Sequence, residues 1–221
     1  ITSLKVATEN NYYDSRENCN GIVETATNTL MIAVKDTRIV ASIEALGPQV
    51  FSGVEIETIT IPANVTNIGS WAFSGCKKLK TVVIEGELTE ISYGTFTSCT
   101  SLTSVNIPAT VTEIGDRAFY NCNVLTELKL PANLEKIGNS TFMRCNALVQ
   151  IVIPASVTNI GTYAFSSCNN LTIYAEATEL PEGWHADWND DNRPVYWYSE
   201  SANYDGEHWR YVDGVPTVWA E

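Results

Sequence analysis

"LTSVNIPATVTEIGDRAFYNC", residues 102–122, decides the fold because the chain says it again and again. "NVTNIGSWAF" (64–73) and "SVTNIGTYAF" (156–165) nearly duplicate its centre, and "LTEISYGTF" (88–96) and "NLEKIGNSTF" (133–142) are looser copies. The period is 23 residues: Phe73, Phe96, Phe119, Phe142 and Phe165 form one ladder, and Cys76, Cys99, Cys122, Cys145 and Cys168 a second. A fixed period between about 20 and 50 residues marks a solenoid or a related repeat architecture.

Comparing copies separates what stacking demands from what it leaves free. Each unit opens with an apolar triplet such as Leu102, Val105 and Ile107, the spacing of a strand with one buried face. Pro62, Pro108, Pro131 or Pro154 follows, lacks an N–H and ends strand pairing. The phrase V-T-x-I-G then supplies a short second strand, and its glycine (Gly69, Gly115, Gly138, Gly161) is expected at positive φ. Ser70, Asp116, Asn139 and Thr162 come next and are residues that cap helix N-termini, so a short helical turn is expected to carry each Phe inward. No unit buries its own Phe, Ile and Leu, so units must stack with strands about 4.8 Å apart in a parallel sheet. The fold expected is a strand-dominated α/β solenoid.

These residues resemble the 23-residue leucine-rich repeat of the BspA-like family, found on surface and secreted proteins of anaerobic gut and oral bacteria. The resemblance is strong over 56–170; "IEALGPQVFSG" (43–53) is a degenerate copy ending at Phe51. It implies a leucine-rich-repeat solenoid, an extracellular or cell-surface location and an interaction or adhesion role, with no catalytic residues to carry over. Three regions are expected: divergent N-terminal units at 1–55, five regular repeats at 56–175 and a C-terminal cap at 176–221.

That last region holds five of the six Trp and eleven Asp and Glu against Arg193 and Arg210. "PVYWYSE" and "HWRYVDG" read as an aromatic β-hairpin joined through "SANYDGE". Its rings either pack over the final repeat or form a platform for sugars, with Trp184, Trp188, Trp197 and Trp209 as the candidates.

Chemistry is sparse. The cysteines stand one per repeat, without the close pairs that zinc requires, and parallel Cβ vectors do not approach to disulfide range. Small buried hydrophobes are the expected role, and Cys19 is expected to be free as well. "DWNDDN" (187–192) begins like a calcium loop but has Asn192 and Tyr198 where the turn glycine and bidentate Glu belong. Neither His185 nor His208 has a partner at metal or triad spacing, and no phosphate-binding or nucleophile-elbow motif occurs. No cofactor is expected and an enzyme is not. A net charge of −13 opposes nucleic acid, and no apolar run approaches the roughly 20 residues of a membrane span.

Binding must then use positions the repeats leave variable. On the first strands these include Thr81, Ser104, Glu127 and Gln150 in one row and Val83, Asn106, Lys129 and Val152 in the next. This polar strip is either ordinary solvated surface or the face that meets a protein or glycan ligand, a host-derived one among the candidates. A passive spacer within a larger surface protein and glycan binding by the C-terminal aromatic segment are the alternatives. Oligomeric state is left open, with an N-terminal edge near Leu4 and Val6 as a possible pairing site.

Overall fold

The computed structural model describes residues 1–219. Each repeat makes one rung of a coil, named here by its buried ring. Front strands are Thr58–Ile61, Thr81–Ile84, Ser104–Val105, Gln150–Ile153 and Thr172–Ala175. Back strands are Ala45–Leu46, Asn67–Ile68, Glu90–Ile91, Glu113–Ile114, Lys136–Ile137 and Asn159–Ile160. Most pair in parallel with the equivalent strand of the next rung, as in Thr58↔Thr81 and Glu113↔Lys136.

The ring column is continuous. Phe73, Phe96, Phe119, Phe142 and Phe165 are fully buried, with successive centroids 5.4–5.6 Å apart and planes within 23°. Phe51 extends the column at one end, 5.3 Å from Phe73, and Trp188 closes it edge-on against Phe165 at 5.8 Å. Burying each Phe contributes about 1.5–3 kcal/mol by area.

The turn that carries each ring is not helical. Among the described residues the only helical element is the 3-10 turn Arg16–Asn18. In the Phe73 rung the N–H groups of Trp71, Phe73 and Gly75 donate to Tyr93, Thr95 and Thr97 of the next rung at 2.8–2.9 Å. Those of Ala72, Ser74 and Cys76 turn back three residues instead. An α-helix would send every N–H back four residues. Half of them here are taken sideways. The alternation needs positive φ twice per rung, at Trp71 and Gly75, Gly94 and Ser98, Arg117 and Asn121, Ser140 and Arg144, and Tyr163 and Ser167.

The V-T-x-I-G glycines are therefore not the positive-φ residues expected. Their reason is close approach: a Cβ on Gly138 would lie 2.4 Å from the Asp116 nitrogen, and one on Gly161 would lie 2.6 Å from the Asn139 nitrogen. Each such glycine, Gly69, Gly115, Gly138 and Gly161, donates its N–H to the preceding rung's Leu or Ile carbonyl at 2.8 Å. Two of the residues read as helix caps, Asp116 and Asn139, likewise serve the next rung. Asp116 Oδ1 accepts from the Asn139 N–H at 2.8 Å, and Asn139 Oδ1 accepts from the Thr162 N–H at 2.9 Å.

Two gaps interrupt the ladders. The back sheet breaks between Asn67–Ile68 and Glu90–Ile91, where Ser92 replaces the glycine. The front sheet breaks after Ser104–Val105, and residues 125–131 of the Phe142 rung form no strand. On the opposite side of Ser104–Val105, toward the preceding rung, Asn106 stands in for backbone: its Oδ1 accepts from the Ile84 N–H at 2.7 Å and its Nδ2 donates to the Ile84 carbonyl at 2.9 Å. Its side chain occupies the ladder position that backbone would otherwise take.

At the N-terminus, antiparallel Gly21–Glu24 and Thr29–Ala33 cover the first rung. The Leu4 and Val6 N–H groups donate to Asn20 Oδ1 and Ser15 Oγ, so at these two positions the edge is occupied. At the other end the hairpin lies one element later than the sequence suggests. Val195–Tyr198 runs parallel to both Thr172–Ala175 and His208–Val212, and the antiparallel partner of His208–Val212 is Val215–Val218. Asp213 and Gly214, at φ of 50° and 79°, make its two-residue turn, a geometry that Asp-Gly pairs favour.

Candidate functional site

The front face carries the variable rows in register: Thr58↔Thr81↔Ser104 in one and Thr60↔Val83 in the next. Asn106 is committed to the ladder, and Glu127, Lys129 and Gln150 are exposed. Beyond Val152 the second row continues through Tyr174 and Tyr196, at a spacing of 22 residues. The 23-residue period does not reach these two tyrosines, because the last two steps of the row are one residue shorter.

Where the front ladder opens, a groove of about 600 Å³ runs across four rungs. Ser104, Glu127, Lys129, Gln150 and Glu176 line it, and the C-terminal hairpin closes one end with Tyr211 and Pro216. Among the described residues, no main-chain hydrogen bond joins residues 126–130 to either neighbouring rung. Their N–H and C=O groups thus lack the ladder partners that the neighbouring front strands have. Of the expected contacts, Ser104, Glu127, Lys129, Gln150 and Val152 come together here; Thr81, Val83 and Asn106 lie outside the groove.

The hairpin is latched in place. Tyr211 Oη donates to Glu176 Oε1 at 2.6 Å, and burial, reinforced by that carboxylate, pushes the Tyr211 phenol well up. Trp209 is fully buried on this face beneath Tyr174, Tyr198 and Tyr211, and its indole N–H donates to the Ala175 carbonyl at 2.9 Å.

The tryptophan platform is not available as expected. Trp184 and Trp188 are buried in the main core, with the Trp184 indole N–H donating to the Val157 carbonyl at 3.1 Å. With Trp209 also enclosed, only Trp197 of the four is more than marginally exposed, and it packs against the core. Stacking on the column end and filling the space under the hairpin bury more ring area than exposure would allow.

The acidic turn is likewise engaged. Asp191 Oδ2 accepts from the Ser167 N–H, a donation that in earlier rungs goes to the next rung's carbonyl, and Asp190 Oδ2 accepts from Ser166 Oγ at 3.3 Å. Asn189 closes the turn onto Arg193 through both its amide atoms.

All six cysteines are buried free thiols. In the ladder each Sγ–H donates to the Phe carbonyl of the preceding rung at 2.9–3.2 Å, so the sulfur is a structural donor as well as a filler. Burial pushes Cys76 and Cys168 up to about 12 and Cys122 and Cys145 well above the ordinary thiol range. These are unreactive sulfurs at neutral pH.

Fold and face together define a strand-dominated repeat solenoid whose variable surface lies on one sheet. The chain matches the BspA type leucine-rich repeat region, in six copies, over residues 37–172. It belongs to that family. Among solved structures it is similar to a leucine-rich repeat protein of Eubacterium ventriosum (TM-score 0.63, 23% identity, covering 82% of this chain and 55% of that one). It is also similar to one from Bacteroides ovatus (0.62, 28%, 73% and 47%) and to a T. pallidum leucine-rich repeat protein (0.58, 25%, 81% and 84%). The chain thus spans about half the length of the first two. No curated protein matches it.

Proposed function

We propose that this chain is a non-catalytic interaction module, displayed outside the cell, that engages a protein or glycan partner across its front face. The observation that carries this reading is the coincidence of two features: the front ladder opens at the rung that presents Glu127 and Lys129, with Gln150 beside them. A solvated strip with nothing to bind has no use for main-chain groups left without strand partners. Membership of a repeat family supports an interaction or structural role, and the family resemblance supports surface display.

The test is a panel of matrix proteins and glycans probed with wild type and with a Glu127→Ala/Lys129→Ala/Gln150→Ala variant whose urea midpoint is unchanged. Loss of a wild-type interaction in the variant is the expected result. Equal binding by both would overturn the assignment to this face. The passive-spacer reading draws on the unbroken ring column, and a panel without any binder would favour it.

A further inference from the structure

We infer that the edge formed by the ring-carrying turns is a second interaction surface, built for a protein partner that presents carboxylates, with Arg117 and Arg144 at its centre. It lies apart from the front face and does not depend on the reading given to that face.

The first observation is composition. Along this edge Tyr93, Arg117, Arg144 and Tyr163 are exposed, and Trp71 and Tyr120 are half-buried. Trp, Tyr and Arg are the residue types that dominate binding energy at protein interfaces. The variable rows of the front face, from Thr81 to Val152, offer none of the three.

The second is backbone cost. Trp71, Gly94, Arg117, Ser140 and Tyr163 are equivalent positions, each with φ between 52° and 62° and each donating its N–H to the turn that follows. Gly94 shows that the turn accepts the residue left-handed backbone favours. Arg144, at φ of 67°, likewise stands where other rungs have Gly53, Gly75, Ser98, Asn121 or Ser167. A bulky side chain at such φ carries a cost that stacking does not demand, and costs of this kind gather at binding sites.

The third is charge. Arg16 and Arg193 each face an aspartate, at 2.8 and 3.5 Å, but among the described residues Arg117 and Arg144 have no carboxylate within 4.0 Å. Asp116, beside Arg117 in the chain, has both oxygens taken by the N–H and Nδ2 of Asn139. Arg144 is oriented instead by Tyr120, its guanidinium 5.7 Å from the ring centroid. A guanidinium with unused N–H groups matches a carboxylate at two points.

The rings are not set for sugar stacking. Trp71 lies over Gly94, where an added Cβ would come 2.5 Å from its ring, and meets Tyr93 edge-on at 4.8 Å, while Arg144 covers Tyr120. A net charge of −13 opposes a polyanion such as nucleic acid. The fit is to a few carboxylates set among apolar side chains, which Trp71, Tyr93 and Tyr163 would cover.

The experiment is fluorescence anisotropy of the whole chain with labelled twelve-residue peptides that carry none, two or four Glu among Leu and Ser, beside versions with Lys in place of Glu. The Glu peptides should bind and the Lys versions should not. Arg117→Gly and Arg144→Gly should each raise Kd at least tenfold while holding or raising the urea midpoint, because glycine relieves the left-handed backbone. Arg117→Gln with Arg144→Gln, which removes the charge and keeps a polar stem, should lose binding as well. Urea midpoints that fall in both glycine variants would show the arginines to be structural and overturn the proposal. So would the absence of Glu-dependent binding, or its loss in Glu127→Ala/Lys129→Ala/Gln150→Ala with none in the arginine variants.

Discussion

The regular rungs and the C-terminal segment solve one problem by different means. Between Phe73 and Phe165, most neighbouring rungs are joined by backbone: ring-turn N–H groups donate forward and back-strand glycines donate backward. After Phe165, side chains take over, with Asp191 receiving the Ser167 N–H and the indoles of Trp184 and Trp209 donating to Val157 and Ala175. A repeat supplies its neighbour's partners by geometry, and a terminus has to find them in residue chemistry. This is why the end of the chain is acidic and aromatic.

The largest expected difference between the two regions is in alkali. The ladder thiols are held protonated, with folded values raised to about 12 or beyond, while an unfolded thiol ionises near 8.5. A raised folded value means the contribution is complete below the unfolded value and is lost as pH climbs toward the folded one. Each thiol should therefore remove about 1.4 kcal/mol of stability per pH unit from roughly pH 9 upward. Urea midpoints measured from pH 7 to 11 should fall steeply, and Cys122→Ala with Cys145→Ala should flatten the slope. A slope unchanged by the two substitutions would show that the column is not the cause.

Next in size is the ring column. Phe119→Ala should cost about 3–5 kcal/mol, since the cavity lies between two packed rungs that cannot close onto it. Trp188→Ala should cost less than the full value in global unfolding and give an early, local transition, because only one side of that ring faces the column. Hydrogen exchange resolves the two; equal, fully cooperative losses would erase the distinction between interior and end.

Smallest is Asp191→Ala, which should cost about 1.5–3 kcal/mol by stranding the Ser167 N–H, with exchange accelerating at Ser167 and leaving the Phe96 rung untouched.

Much of this was legible in the sequence and some was not, for identifiable reasons. The period placed the rings from Phe73 to Phe165 and the sulfurs from Cys76 to Cys168, because a stacked core tolerates little drift in position. Phe51 joins the column although its spacing to Phe73 is one residue short, since a turn absorbs a single deletion more easily than a strand does. The glycines were located, but their reason was not: close approach and positive φ leave the same mark in a sequence, and only the neighbouring rung's nitrogen tells them apart. The helical turn failed because Ala-Phe following a capping residue fits a helix locally, whereas the winning hydrogen bonds lie a whole period away. The variable rows lie on the front strands as the period indicates, yet no pattern of residue types announces that the front ladder opens at residues 125–131.

The two gaps in the ladders fall at different heights. Where the back sheet parts, between the Phe73 and Phe96 rungs, Thr58–Ile61 and Thr81–Ile84 are fully joined on the front; where the front parts, the back strands hold. Like brick courses with offset joints, the coil offers no straight line of cleavage. Pulled end to end, it should gape at the groove mouth before it tears, and a single-molecule force trace should show that yielding as a soft shoulder ahead of the first rupture.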